Sequence, residues 1–225
     1  MTGSFVSPAT RQRLRDLATP VATALGRLGL SPNALTLLGF VGTCVAAVAA
    51  ASQAWLAAGV LVLVFGIFDL FDGALARATG RVSRLGAFYD STFDRAGELV
   101  VFLGITWGAV DLGLWAPIFL AVWAMAAATM VSYTRAKAES LGFTPGTGMA
   151  AVGLAPREVR LAILGVGLIA AGLLPGFPSD TDGAGGAAYP LSGWALDITL
   201  GLIAVLATIT TIQRILHVRA QSREG

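Results

Sequence analysis

The sequence holds one cysteine and one histidine. Cys44 has no partner for an intrachain disulfide, and its apolar neighbours mark it as a small packing residue. His217 follows the last apolar run and reads as a surface residue rather than a ligand. Charge is scarce as well. Asp, Glu, Lys and Arg make up 12% of the chain, about half the usual share of a soluble domain. This excludes an ordinary soluble protein, and no nucleic-acid partner is expected. No internal repeat is evident. The first 30 residues carry arginines but no compact apolar core with a cleavage site, so they are not expected to be a signal peptide.

Apolar length is what the chain has in quantity. It is 56% hydrophobic, with 28 glycines and a mean hydropathy of +0.76, a composition that belongs in a bilayer. A spanning helix needs about 20 mostly apolar residues. Six stretches qualify, at roughly 33–53, 55–76, 86–109, 114–136, 159–175 and 191–213. The fold class is therefore all-α and integral to the membrane, with a six-helix domain over 31–225. The glycines suit close helix packing. Residues 1–30 form a separate segment. There Leu14, Leu17, Val21, Leu25 and Leu28 recur at spacings of three and four, while Arg11, Arg13, Arg15 and Arg27 largely avoid that stripe. The pattern predicts an amphipathic helix in the headgroup plane. A soluble helix packed on a partner is the alternative.

Six spans put both termini on one side. The segments assigned to that side contain every Lys and Arg except Arg95, which lies inside span three near the same face. The opposite loops carry Asp111, Asp180 and Asp182 and no basic residue. This bias predicts cytoplasmic N- and C-termini in a multi-pass protein of the plasma membrane.

One stretch departs from the apolar background: "DLFDGALARATGRVSRLGAFYDSTFD", Asp69 to Asp94. Asp69 and Asp72, three apart, share a helix face at the end of span two. Asp90 and Asp94, four apart, share a face at the start of span three. The intervening "RATGRVSR" turns the chain, so an antiparallel hairpin presents two carboxylate pairs to each other. Four such anions repel, and each costs several kcal/mol to desolvate at membrane depth. A lone buried aspartate can be a structural hydrogen-bonder, and a pair can serve a proton relay or ion pathway. Four in this arrangement suit hard divalent cations. With no Cys or His nearby, Mg²⁺ or Mn²⁺ is preferred to Zn²⁺, and two ions fit four carboxylates better than one. Paired ions stabilise displacement at phosphorus. Gly73, Ala76 and Gly86 leave room beside them, and Arg77 offers a forked donor to phosphate.

With its spacing, D69-x2-D72-G73-x2-A76-R77-x8-G86-x3-D90-x3-D94 resembles the signature of the CDP-alcohol phosphotransferase family at every defining position. "LSPNALTLLG", with Asn33 and Thr36, resembles the start of that family's first span. The resemblance implies six spans behind an interfacial helix. It implies an enzyme in which an alcohol attacks the lipid-bearing phosphorus of a CDP-diacylglycerol-type donor and CMP leaves. Asp69, Asp72, Asp90 and Asp94 would hold the metal, with Asp94 also the catalytic base. Asn33, Thr36, Asp69, Gly73, Ala76, Arg77 and Gly86 would bind the nucleotide. Family members are commonly homodimers, which is implied here too.

The acceptor is read from the remaining cations. Arg135 and Lys137 end span four, Arg157 and Arg160 precede span five, and Arg214 ends span six. Three helix ends thus aim positive charge at one face, as an acceptor carrying its own phosphate would require. The positive-inside bias alone is the plainer explanation. The runs Ser132 to Glu139, Arg157 with Arg160, and Gln213 with Arg214 further resemble phosphatidylinositol-phosphate synthases. That implies a phosphorylated polyol, inositol 1-phosphate, held by Arg135, Lys137, Arg157, Arg160 and Arg214. Phosphatidylglycerophosphate synthesis is the alternative reaction. A divalent cation transporter is the non-enzymatic one; it requires acidic residues along a path to the far side, where ionisable groups are few.

Overall fold

The structure is a computed structural model that describes residues 20–143, 152–176 and 189–224, without the side chains of Asp69, Leu70 and Glu224. Residues 20–27 are helical. The longer helices are α1 (Pro32–Ala51), α2 (Trp55–Gly66), α3 (Phe68–Ala78), α4 (Arg84–Asp111), α5 (Trp115–Ser140), α6 (Arg157–Leu173) and α7 (Leu191–Glu224). Among the described residues there is no strand. Most of the expected amphipathic segment, residues 1–19, lies outside the described residues.

Local chemistry sets the boundaries around the acidic stretch. Ser31 caps α1 by accepting the Ala34 amide at 3.2 Å, with Pro32 in the first turn. The expected second span is two helices, not one. At Ile67 the amide reaches the Val64 carbonyl at 3.3 Å, a tightened turn that separates α2 from α3. The end of α3 is closed by Gly80 at φ +64°, with the Arg81 amide on the Ala76 carbonyl at 2.9 Å. A left-handed residue there satisfies carbonyls the helix leaves open. Ser83 then starts α4 by accepting the Gly86 amide at 3.0 Å. The turn of the hairpin that carries the aspartates is thus short, with a helix cap on each side.

Small residues let the bundle close. A Cβ on Gly104 of α4 would fall 2.2 Å from the Ala47 carbonyl of α1, and one on Gly59 of α2 would fall 2.6 Å from the Gly165 carbonyl of α6. Only glycine permits these backbone approaches. The core unites Ala46, Ala47 and Ala50 of α1 with Phe102 and Ile105 of α4, Leu164 and Leu168 of α6, and Leu200 and Ile203 of α7. The outside is also apolar, with Val48, Trp107, Phe119, Val166 and Ile198 exposed. Lipid rather than water solvates such a surface. Four helical stretches are long and apolar enough to cross a membrane: Pro32–Ala51, Trp55–Ala78, Trp115–Ser140 and Leu191–Arg223. The other two expected spans fall short for separate reasons. Asp90, Asp94, Arg95 and Glu98 occupy the first half of α4, and α6 has 17 residues.

Candidate active site

Two cavities meet at the mouth of the hairpin. The larger, about 550 Å³, is reached by Asp72, Gly73 and Arg77 of α3, Asp90, Asp94 and Arg95 of α4, Arg135 of α5, Arg157 and Arg160 of α6, and Arg214 of α7. The smaller, about 280 Å³, is lined by Asn33 and Thr36 of α1, Asp72, Gly73, Ala76 and Arg77 of α3, and Gly86 and Asp90 of α4. Asp72, Gly73, Arg77 and Asp90 belong to both. Asp94 faces the larger cavity alone, while Asn33, Thr36, Ala76 and Gly86 face the smaller alone.

The hairpin accounts for this division. Asp72 is 4% exposed, and its Oδ2 accepts the Thr36 hydroxyl at 2.6 Å, which ties α3 to the first turn of α1. Asp90 and Asp94 follow one turn apart on α4. Asp69 lies on α3, but its side chain is outside the described residues. Around the smaller cavity, a Cβ on Gly86 would meet Asn33 Oδ1 at 3.2 Å, so these two expected nucleotide residues face each other across a narrow gap.

The basic residues are held in different ways. Arg157 Nη1 lies 3.2 Å from Asp94 Oδ2. Arg160, 1% exposed, grips Glu98 through Nε and Nη2, each at 2.7 Å, and donates from Nη1 to the Ala155 carbonyl at 2.9 Å. Arg214, 3% exposed, donates from Nε to the Val152 carbonyl at 3.0 Å and from Nη1 to the Val131 carbonyl. Arg135 pairs with Glu139 at 2.9 Å in an exposed contact on its own helix. Lys137 is exposed and lines neither cavity, so it stands apart from the other four. Asp111 and Asp197, the distal carboxylates among the described residues, line neither cavity either.

Comparison with known proteins decides the family. Residues 29–210 match the sequence model described as CDP-alcohol phosphatidyltransferase. The chain belongs to the CDP-alcohol phosphatidyltransferase family. Among its relatives is an archaetidylinositol phosphate synthase of Pyrococcus horikoshii, 33% identical over 222 residues and covering 99% of both chains. A phosphatidylinositol phosphate synthase of Mycolicibacterium smegmatis is 36% identical over 216 residues, covering 93% of this chain and 87% of the relative. The phosphatidylinositol phosphate synthase of Mycobacterium tuberculosis has a similar fold. Its crystal structure with CDP-DAG bound gives a TM-score of 0.73 at 30% identity, covering 90% of this chain and 94% of that one. Its complex with manganese and citrate gives 0.71 at 29% identity, covering 90% and 88%.

Against the family signature, the structure brings together Asp72, Asp90, Asp94, Gly73 and Arg77 from the hairpin and adds Thr36 from α1. Sequence reasoning missed Glu98, Arg95 and Thr210. Glu98 had a visible signal: a carboxylate in an apolar run, four residues beyond Asp94 and so on the same helix face. Thr210 had none. Its hydroxyl accepts the Ala155 amide at 2.9 Å, across a span of chain that only the fold brings close.

Proposed function

We propose that the chain transfers the phosphatidyl group of a CDP-diacylglycerol-type lipid to the hydroxyl of inositol 1-phosphate, releasing CMP and forming phosphatidylinositol phosphate. One observation carries this reading: a nucleotide-sized cavity and an arginine-rich cavity join along Asp72, Gly73, Arg77 and Asp90. The donor's cytidine end fits the smaller cavity and the acceptor's phosphate the larger, so the reacting phosphorus lies at their common wall. The names of the relatives support the acceptor. They share inositol phosphate and differ in the lipid.

The acceptor hydroxyl oxygen forms a bond to the lipid-bearing phosphorus, and the bond from that phosphorus to the CMP oxygen breaks. Asp94, on the acceptor side, takes the hydroxyl proton. Arg77 reaches both cavities and offers its fork to the phosphate oxygens of the donor. Arg157, Arg160, Arg214 and Arg135 bind the acceptor's phosphate, and the acceptor competes with Asp94 for Arg157. Charge on that phosphate selects against unphosphorylated polyols.

The residues present fit Mg²⁺ or Mn²⁺. Their donor atoms are carboxyl oxygens, the hard ligands these ions take, and Asp72 among them is buried. Among the described residues no three such side chains stand close enough together to hold a metal ion by themselves. In this proposal Asp69, Asp72, Asp90 and Asp94 would hold two such ions, as the family signature implies. When bound, the metal neutralises charge that develops on the phosphates. The same reading has six spans and both termini cytoplasmic in the plasma membrane, supported by the one-sided distribution of Lys and Arg, and a homodimer, as the family resemblance implies.

Purified protein with Mn²⁺ and labelled CDP-diacylglycerol, offered each acceptor separately, tests the proposal. Inositol 1-phosphate is expected to give CMP and labelled product, and glycerol 3-phosphate neither. Product with glycerol 3-phosphate alone would replace the acceptor proposed here.

A further inference from the structure

We propose that Glu98 is a positioning residue for the acceptor: it orients Arg160, which in turn binds the acceptor's phosphate. The inference rests on the functional reading above. Glu98 itself lines neither cavity, whereas Arg160 lines the larger. The two side chains are 4% and 1% exposed at residue level, and form a bidentate pair with both contacts at 2.7 Å. Two parallel bonds fix the guanidinium plane, and the bond from Nη1 to the Ala155 carbonyl fixes a further edge. A guanidinium has five N–H donors. These three bonds leave one on each terminal nitrogen for a ligand.

The pair is also the second rung of a ladder between two helices. Asp94 and Glu98 are one turn apart on α4, and Arg157 and Arg160 one turn apart on α6. The rungs are Asp94 with Arg157 and Glu98 with Arg160. The first rung opens onto the cavity, with side-chain exposures of 24% for Arg157 and 18% for Asp94, while the second is buried. A buried pair held by three hydrogen bonds keeps its geometry without ligand, so the acceptor meets a cation already in place. The open rung is the one a bound phosphate can rearrange. The sealed rung keeps α6 in register while it does so.

Three variants, Glu98→Gln, Arg160→Ala and the double change, test the role in steady-state assays with whichever phosphorylated polyol the wild type uses. Melting temperature and gel filtration report folding. Glu98→Gln is expected to raise the acceptor KM about tenfold or more, with the CDP-lipid KM within about twofold of wild type. In the Arg160→Ala background the Gln substitution is expected to add nothing to the acceptor KM, because Glu98 acts through Arg160. Should Glu98→Gln fail to fold, Glu98→Asp keeps the charge at shorter reach and takes its place. An unchanged acceptor KM in the folded variant would overturn the proposal. So would equal rises for both substrates, or effects that add in the double variant. If the wild type uses no phosphorylated acceptor, the functional reading and this role fall together. If it does and only the Glu98 result is negative, this role alone falls.

Discussion

Arg157 Nη1 lies 3.2 Å from Asp94 Oδ2, which joins the start of α6 to the hairpin of aspartates. The contact pairs the residue expected to take a proton with one expected to hold the acceptor. Both sit in the larger cavity, and neither reaches the smaller. On the proposed function, acceptor binding and proton removal are therefore adjacent in one pair.

Asp94→Asn is expected to lower kcat by about 10²–10⁴-fold, the usual contribution of a positioned base. CDP-lipid affinity is expected to stay within about threefold, since Asp94 lies outside the smaller cavity. CMP release and equilibrium binding of the lipid check the two halves. Undiminished turnover would remove Asp94 from the base role.

Arg157→Ala is expected to raise the acceptor KM about ten- to a hundredfold, from the loss of a charge-assisted hydrogen bond to phosphate. The donor KM is expected to change little. Initial rates with each substrate varied in turn give the comparison. Equal changes in both would make Arg157 a topological charge only.

Thr36→Val removes the 2.6 Å hydrogen bond to Asp72 while keeping the side chain's shape. A ligand carboxylate that loses an outer partner typically loses about 10–100-fold in metal affinity. The variant is expected to need that much more Mn²⁺ for half-maximal activity, with full rate recovered at saturation. A titration of activity against Mn²⁺ measures the shift.

Gly86→Ala places a methyl 3.2 Å from Asn33 Oδ1 and 3.1 Å from Ser83 Oγ. The narrow cavity must widen by a few tenths of an ångström to accept it. The CDP-lipid KM is expected to rise about tenfold, the cost of a small overpacking. The acceptor KM is expected to hold.

Asp72, Asp90 and Asp94 were legible because helix spacing puts Asp69 with Asp72, and Asp90 with Asp94, on one face each. The hairpin followed from the basic turn between apolar runs. The break at Ile67 was not legible, since Phe65 to Phe68 reads as continuous apolar helix and the tightened turn involves only backbone atoms. Lys137 shares the basic end of span four with Arg135, and nothing in the local sequence separates the two. Its direction around that helix, away from the cavity, depends on packing against α7. Thr36 could be placed near the site only by its resemblance to other proteins. Its bond to Asp72 bridges 36 positions in the chain, and no local pattern encodes a contact between helices at that distance.

The common wall of the two cavities has a kinetic consequence. Lipid nucleotide and polyol phosphate can be held side by side, with no need for either to vacate before the other arrives. On the proposed function the reaction is then expected to pass through a ternary complex, without a lipid-linked form of the protein. Double-reciprocal plots will intersect rather than run parallel, and labelled CMP will not exchange into the lipid nucleotide until the polyol is added.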